Sequence, residues 1–465
     1  MRTRTKGLIY KVKTFGTIQE LDYETPFDED YQYHENVIKG LDYIFSQAVL
    51  MDTDENSIDD AVYFGDHLVY ETSIAMMAIA GSETPDRLVS VAGSAVDGWT
   101  YKKVAEYAMN YLVTYQNADG GWGYHHDGWA TRSDNSNTGY AVLGLTYAQN
   151  KFSIPIPPGT LSGLDSWVDT IQCDELGPNL GGSGYETACD WVNILKTGNL
   201  LYQMAMVGDD SSTTRAIAAK NYIENHWNDA NWDPGWKGPG YGIHDWPDYQ
   251  ATYTMMKGFE AMGIETITID GEDVDWFDVV TTAITTTQND DGSWSECAWG
   301  DEILSTEWAL LTLEKSVEIP VIAVGVDIKP GSCPNPLNLK EKGVLPVAIL
   351  GTDKLDVGTI DPTSILLSRE DILDKSVPTI RCSYEDVATP FEGELCSCHD
   401  LNGDGYMDLT MKFSVPDVVA TLQLGDLADG TELPLTVTGK LTEEEGGTQI
   451  QGQDCVRIIN KVRDR

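Results

Sequence analysis

The sequence predicts a mainly α-helical body of repeated helical hairpins in two concentric layers, followed by an all-β sandwich. Three observations carry this. Gln116-Asn117-Ala118-Asp119-Gly120-Gly121-Trp122 and Gln288-Asn289-Asp290-Asp291-Gly292-Ser293-Trp294 both read Q-N-x-D-G-x-W, and a pattern that recurs with its turn chemistry intact marks a repeat. Each copy lies between one amphipathic stretch and one more apolar stretch. Beyond Glu314-Lys315-Ser316-Val317-Glu318-Ile319-Pro320 the helical spacing gives way to short β-branched runs separated by Gly, Pro and Asp.

In chain order, residues 1–34 read as an N-terminal extension. Its start, Met1-Arg2-Thr3-Arg4-Thr5-Lys6, is basic but is followed by no apolar leader. The repeats occupy residues 35–317. Val104, Ala105, Ala108, Tyr111 and Leu112 have helical spacing ahead of the first sharp copy, and Val279–Thr287 precedes the second. Asp119-Gly120 and Asp291-Gly292 supply turns, because glycine tolerates positive φ. Gln116 and Gln288 are expected to bond carbonyls at helix ends, and Trp122 and Trp294 to lie over the next unit. Ser136, Thr138 and Ser305 stand where N-caps of the following helices are expected. Weaker copies are Tyr63-Phe64-Gly65-Asp66, Gly181-Gly182-Ser183-Gly184-Tyr185 and Asp233-Pro234-Gly235-Trp236. Together these make about five helix–loop–helix units at a period of roughly 50 residues.

The Q-x-x-D-G-x-W unit resembles the QW repeat of the prenyltransferase and squalene–hopene cyclase superfamily. The resemblance covers residues 35–317 and implies an α/α toroid, a ring that in this superfamily usually carries six or seven hairpins; ring closure is therefore left open. It does not bring the activity with it. The D-x-D-D acid of the hopene cyclases is absent, Asp52-Thr53-Asp54-Glu55 and Asp273-Val274-Asp275-Trp276 being the nearest approaches. The D-D-x-x-D of class I terpene enzymes is absent too, since Asp59-Asp60 runs into Ala61-Val62-Tyr63. The prenyltransferase zinc set has no match beyond Cys398 and Asp400, in reverse order.

Composition narrows the partners. The formal charge is −44, from 74 acidic and 30 basic residues, which excludes ordinary binding to nucleic-acid phosphates. The acids are spread along the chain, as on a solvated acidic surface. No apolar run is long enough for a transmembrane helix.

After a linker at 318–323, residues 324–463 read as the β-sandwich, with strands at Val324–Ile328, Val344–Leu350, Leu409–Phe413 and Leu433–Gly439. Val326-Asp327-Ile328-Lys329-Pro330-Gly331-Ser332 through Gly343–Thr352 resembles a β-module at the C-terminal end of many secreted bacterial and archaeal proteins, which implies an extracellular setting. Asp400-Leu401-Asn402-Gly403-Asp404-Gly405-Tyr406-Met407-Asp408 offers side-chain oxygens at Asp400, Asn402, Asp404 and Asp408, a carbonyl at Tyr406, and a glycine at the sharp turn. That is an oxygen cage for Ca²⁺ with a structural role. Met411 stands where an EF-hand would place its glutamate, with Lys412 next, so the loop is of the shorter kind found in extracellular β-proteins. Eight cysteines, five of them in this module, suit an oxidising compartment, with pairing undetermined and free thiols still an alternative. Cys173 and Cys189 could staple the loop they flank. Cys396-Ser397-Cys398-His399 lacks the second pair a zinc site would need.

Two loops are candidate ligand sites: His125-His126-Asp127-Gly128-Trp129 and Tyr241-Gly242-Ile243-His244-Asp245-Trp246. Aromatic faces there can stack on sugars, and the His and Asp side chains can bind metal or exchange protons. The sequence is therefore read as an extracellular or cell-surface structural or binding protein, with calcium, glycans or other surface proteins as partners and self-association open. The alternatives are an enzyme using the toroid cavity, as a glycan lyase or hydrolase or a divergent terpene-type cyclase, and a subunit of a surface lattice or filament.

Overall fold

A computed structural model describes residues 10–14, 17–21, 25–54, 56–125, 132–230, 233–238, 247–352, 355–369, 372, 375–391, 395–396, 401–442 and 449–460. The chain forms a helical unit that ends at Pro320 and a sheet unit that begins at Val321.

The helical unit opens with a hairpin of β1 (Tyr10–Thr14) and β2 (Thr17–Leu21). Then come α1 (His34–Ser46), a hairpin of β3 (Ala48–Met51) and β4 (Ala61–Phe64), α2 (Leu68–Gly81), α3 (Tyr101–Thr114), α4 (Asn135–Phe152), α5 (Pro158–Ile171), α6 (Ile194–Met206), α7 (Thr214–His226) and α8 (Tyr249–Ala261). A hairpin of β5 (Thr266–Ile269) and β6 (Glu272–Asp275) leads to α9 (Trp276–Thr286) and α10 (Glu302–Leu313).

The helices differ by parity. Odd-numbered helices bury one stripe: Thr160, Leu164, Trp167, Val168 and Ile171 in α5, or Trp276, Val280 and Ile284 in α9. The middle even-numbered helices are enclosed, every residue of α6 being buried and all of α8 except Glu260, whereas the last, α10, buries only Ser305, Trp308, Ala309 and Thr312 and leaves Ile303, Leu304 and Leu310 exposed. The even helices pack in series, α2 on α4, α4 on α6, α6 on α8 and α8 on α10, with α3, α5, α7 and α9 laid against them. At the α6–α8 crossing a Cβ on Gly198 would sit 2.5 Å from the Met255 amide nitrogen, so glycine permits backbone contact there.

The capping residues differ from the expectation. Asp134 and Asp301 cap α4 and α10, their carboxylates accepting the Asn137 and Leu304 amides at 2.8 and 3.0 Å. Ser136, Thr138 and Ser305 lie inside those helices. Thr138 and Ser305 use their hydroxyls to accept the Trp122 and Cys297 amides of the preceding loops.

The sheet unit contains β7 (Ile322–Ala323), β8 (Gly325–Ile328), β9 (Pro336–Asn338), β10 (Val344–Leu350), β11 (Leu366–Ser368), β12 (Ser376–Pro378), β13 (Arg381–Glu385), β14 (Asp408–Ser414), α11 (Val415–Thr421), β15 (Glu432–Lys440) and β16 (Gln449–Ile459). One antiparallel sheet has the order β13-β14-β10-β8. A second has the order β12-β11-β15-β16-β7, and β9 lies beside β16. β16 pairs antiparallel with β15 and parallel with β7 and β9. Val347, Ile349, Met411 and Phe413 from the first sheet and Leu367, Leu435, Val437 and Val456 from the second share one core. The helix α11 was not expected in this unit.

Disulfides join Cys173 to Cys189 and Cys396 to Cys455, and Cys333 is disulfide-bonded as well. Cys297 and Cys382 are free thiols.

Candidate functional site

The repeat loops set the positions of everything at the N-terminal ends of the even helices. In the first sharp loop Gly120 has φ +87° and Asp119 accepts the Gly121 amide at 3.1 Å. Trp122 is buried, with its indole N–H donating to the Leu112 carbonyl at 2.7 Å. The second loop repeats this: Gly292 has φ +91°, Asp291 accepts the Ser293 amide at 3.0 Å, and Trp294 donates to the Ile284 carbonyl at 2.8 Å. Each Trp is thus tied to the helix before its loop through the indole N–H. Gln116 bonds the loop carbonyl of Gly120 at 2.8 Å and the Thr160 carbonyl of α5 at 2.9 Å, and Gln288 bonds Gly292 at 2.9 Å.

The weaker copies use the same bonds without the same letters. Gln172 donates to Gly181 at 2.8 Å and to Arg215 of α7 at 2.9 Å. A threonine hydroxyl early in the following helix accepts the loop amide in several units: Thr72 from Phe64, Thr138 from Trp122, Thr197 from Ser183 and Thr306 from Trp294. The Cys173–Cys189 disulfide spans the third loop.

These anchored loops carry an aromatic belt. His67 packs edge-on to Tyr124 at 5.6 Å and lies 6.3 Å from His125. Tyr70 stacks on Tyr124 at 6.2 Å and touches Tyr140 at 4.3 Å. Tyr185 meets Trp191 at 5.6 Å, and Trp191 meets Trp299 at 6.0 Å. The Tyr185 hydroxyl lies within electrostatic reach of Tyr124, which brings the two stretches near one another. Trp191 and Trp299 remain 37% and 51% exposed, although large aromatic rings favour burial.

Trp191 is held with unusual care. Its backbone has φ +53°, a left-handed conformation that a bulky residue adopts only when its surroundings impose it. Its indole N–H donates to Asp233 at 3.0 Å, and the Lys196 ammonium lies 3.9 Å from its ring centre. Lys196 is buried, and desolvation brings its amine down to about 7, against the pull of Asp233, Asp190 and Asp248. Asp134 and Asp248, N-caps of α4 and α8, are pushed up to about 6 by burial. Burial also holds the Tyr70 and Tyr185 hydroxyls above the usual phenol range.

Deeper among the even helices, Lys257 is fully buried. Its ammonium donates to Asn199 at 3.1 Å and lies 5.0 to 5.6 Å from the rings of Tyr253, Tyr202 and Tyr140. Desolvation alone lowers it to about 7. The Tyr253 hydroxyl and the Gln250 amide oxygen are buried nearby without hydrogen-bond partners.

Of the expected ligand loops, His125 joins the belt; His126, Asp127, Trp129, Tyr241, His244, Asp245 and Trp246 lie outside the described residues. Sequence reasoning missed His67, Tyr124, Tyr185, Trp191 and Trp299. One signal was available: Trp191-Val192-Asn193 and Trp299-Gly300-Asp301 each place Trp two residues before a helix N-cap, and Trp246-Pro247-Asp248 repeats the spelling.

In the sheet unit, Asp400 lies outside the described residues, while Asn402, Asp404, Tyr406 and Asp408 fall within them. Asp404 accepts the Tyr406 amide at 3.0 Å. Asp386, which the sequence reading did not include, accepts the Asp404 and Gly405 amides at 3.0 and 2.9 Å and brings another carboxylate to the loop. Asp408 is buried and accepts the amides of Gly351, Val387 and Ala388 at 3.0, 2.8 and 3.1 Å. A carboxylate has about four lone-pair positions, so Asp408 clamps three strand-end amides and has about one left for an ion. Among the described residues, no group of three or more His, Cys, Asp or Glu side chains is arranged to hold a metal, and no helix is long and apolar enough to cross a membrane.

No protein-family model matches the chain, and no curated protein does. Among solved structures it is similar to the major subunit of aggregative adherence fimbriae type I from Escherichia coli, at 12% identity over 30% of this chain and 94% of that one, with a TM-score of 0.15. A likeness that slight bears on neither fold nor function.

Proposed function

We propose that this is an extracellular or cell-surface protein that binds carbohydrate at the aromatic belt. In this reading the even helices form the inner wall of an α/α toroid of the QW-repeat kind, and the odd helices form its outer wall. The sheet unit is a β-sandwich that serves for attachment or assembly, with Ca²⁺ held by Asp400, Asn402, Asp404, the Tyr406 carbonyl and Asp408.

Trp191 carries the reading. A half-exposed indole held in a left-handed backbone, with its N–H on Asp233 and a second indole beside it, is a costly arrangement for packing alone. It suits a rigid platform for the apolar face of a sugar ring, with Asp190 and Glu186 exposed nearby to accept hydroxyl hydrogens. Affinity electrophoresis through gels containing different polysaccharides tests it. At least one should retard the intact protein, and Trp191→Ala should migrate through that gel as it does through a blank one. Equal retardation of both would overturn the reading.

A glycan lyase at the same belt is favoured by one observation, the Lys196 amine close to 7 beneath Trp191. An amine in that range can take a proton from carbon at neutral pH. Release of unsaturated sugar ends, lost in Lys196→Met, would separate a lyase from a binding protein.

A further inference from the structure

A second group of oxygens in the sheet unit has no assigned role and goes beyond the reading above. Asp327, on β8, is 3% exposed and its Oδ2 has no hydrogen-bond partner. Asn335, just before β9, is also 3% exposed. Its Nδ2 donates to Asp454 Oδ2 and to the Cys455 carbonyl, both at 3.0 Å. Those two bonds fix the orientation of the amide, because turning it over would set its oxygen against a carboxylate and a carbonyl. Asn335 Oδ1 is therefore the atom left over, buried and without a partner. Asp454, on β16, also accepts the Ile328 amide at 2.7 Å, which brings its carboxylate to the strand that carries Asp327.

Asp454 thus links the fixed amide of Asn335 to the strand that carries Asp327, in a place where water is scarce. Lys329, two residues past Asp327, donates to the Pro336 carbonyl at 2.8 Å instead of pairing with Asp327. Burial and the neighbouring Asp454 and Asp408 charges push the Asp327 carboxyl up to about 7, the response of a buried acid that lacks a counter-charge. Unpartnered buried oxygens of this kind are destabilising, and a hard cation would satisfy them together. All donors are oxygen, which disfavours zinc and copper.

We infer that Asp327, Asn335 and Asp454 form a site for a divalent cation of the calcium type, which ties β8 and the approach to β9 onto β16. Water and nearby carbonyls would complete the six to eight oxygens that Ca²⁺ takes. The set is distinct from the 400–408 loop, and it reaches three donors only when the amide is counted.

Calorimetric titration of the chelator-treated full-length protein with Ca²⁺ tests this. Asp327→Asn keeps the shape and removes the charge. It should bind one equivalent fewer than the wild type, or bind that equivalent at least tenfold more weakly. Asp404→Ala touches only the loop and should keep this equivalent, so the loop and this site can fail separately. If Asp327→Asn does not fold, the count in Asp404→Ala decides: one Ca²⁺ supports the site and none overturns it. Unchanged stoichiometry and affinity in a folded Asp327→Asn would also overturn it, and a higher melting temperature in that variant would assign the group to a shared proton instead.

Discussion

The two sharp repeat loops share a sequence and differ in what surrounds them. Gln116 joins its loop to α5 through Thr160, whereas Gln288 is exposed and bonds only its own loop at Gly292. A Cβ on Gly120 would collide with the Gly163 carbonyl of α5, but one on Gly292 would meet nothing closer than the Gln288 amide at 4.0 Å. The same letters therefore do two jobs in the first loop, shaping the turn and receiving the next helix, and one job in the last. A terminal repeat has no following unit to receive, which is how capping repeats come to differ from internal ones. The lesson is that a repeat motif specifies its own turn, while the neighbouring unit determines how much stability the turn confers.

Substitutions can break or sharpen this contrast. The largest effects should come from the indoles, where the loops agree. Trp122→Ala and Trp294→Ala should each cost about 3–5 kcal/mol in denaturant melts of the helical signal, a large part of a stability of about 5–15 kcal/mol. A much smaller loss at Trp294 would mean that the last loop is not built as the first is.

The glycines should separate the loops next. Gly292→Ala faces only its positive φ, about 1–2 kcal/mol, while Gly120→Ala adds a collision with α5 and should exceed that by at least about 1–2 kcal/mol. Equal costs would remove the distinction.

Lys257→Met probes the buried layer that both loops hold in place. The substitution removes a desolvated amine and should stabilise by about 1–3 kcal/mol at neutral pH, despite leaving Asn199 without its donor. The amine is near 7 in the folded protein and 10.5 when exposed, so between those values the unfolded chain binds more protons and wild-type stability rises with pH. The advantage of Lys257→Met should therefore shrink as pH climbs from 7 toward 10.5. A pH-independent advantage would show that the amine keeps its proton when buried.

The glutamines complete the series. Gln116→Ala should cost about 1 kcal/mol for its bond to α5, and Gln288→Ala no more than about 0.5 kcal/mol.

Much of this frame was legible in the sequence, because hydrophobic spacing and Asp-Gly turns are local signals. The degenerate repeats were visible only as positions: Gln172 does for the third loop what Gln116 does for the first, but an interval lengthened by the Cys173–Cys189 loop hides the match. The strand β16 escaped notice because Gly452 and Asp454 stand where apolar residues would continue the alternation of Ile450, Val456 and Ile458; they are tolerated there because β15, β7 and β9 fix the backbone. Trp191 and Trp299 went unread because their shared place, two residues before a helix N-cap, stands out only once the caps are known. Only the structure places them in one belt, more than a hundred residues apart in sequence yet 6.0 Å apart in space.

The central claim is that the tryptophans divide into a frame and a site. Isothermal titration with a polysaccharide that retards the wild type, run beside thermal melts of the same proteins, tests it most directly. Trp191→Ala and Trp299→Ala should each weaken binding at least tenfold and leave the melting temperature near that of the wild type, while Trp122→Ala should lower melting sharply. Wild-type affinity in the two belt variants, or a collapse of their stability like that of Trp122→Ala, would contradict the account.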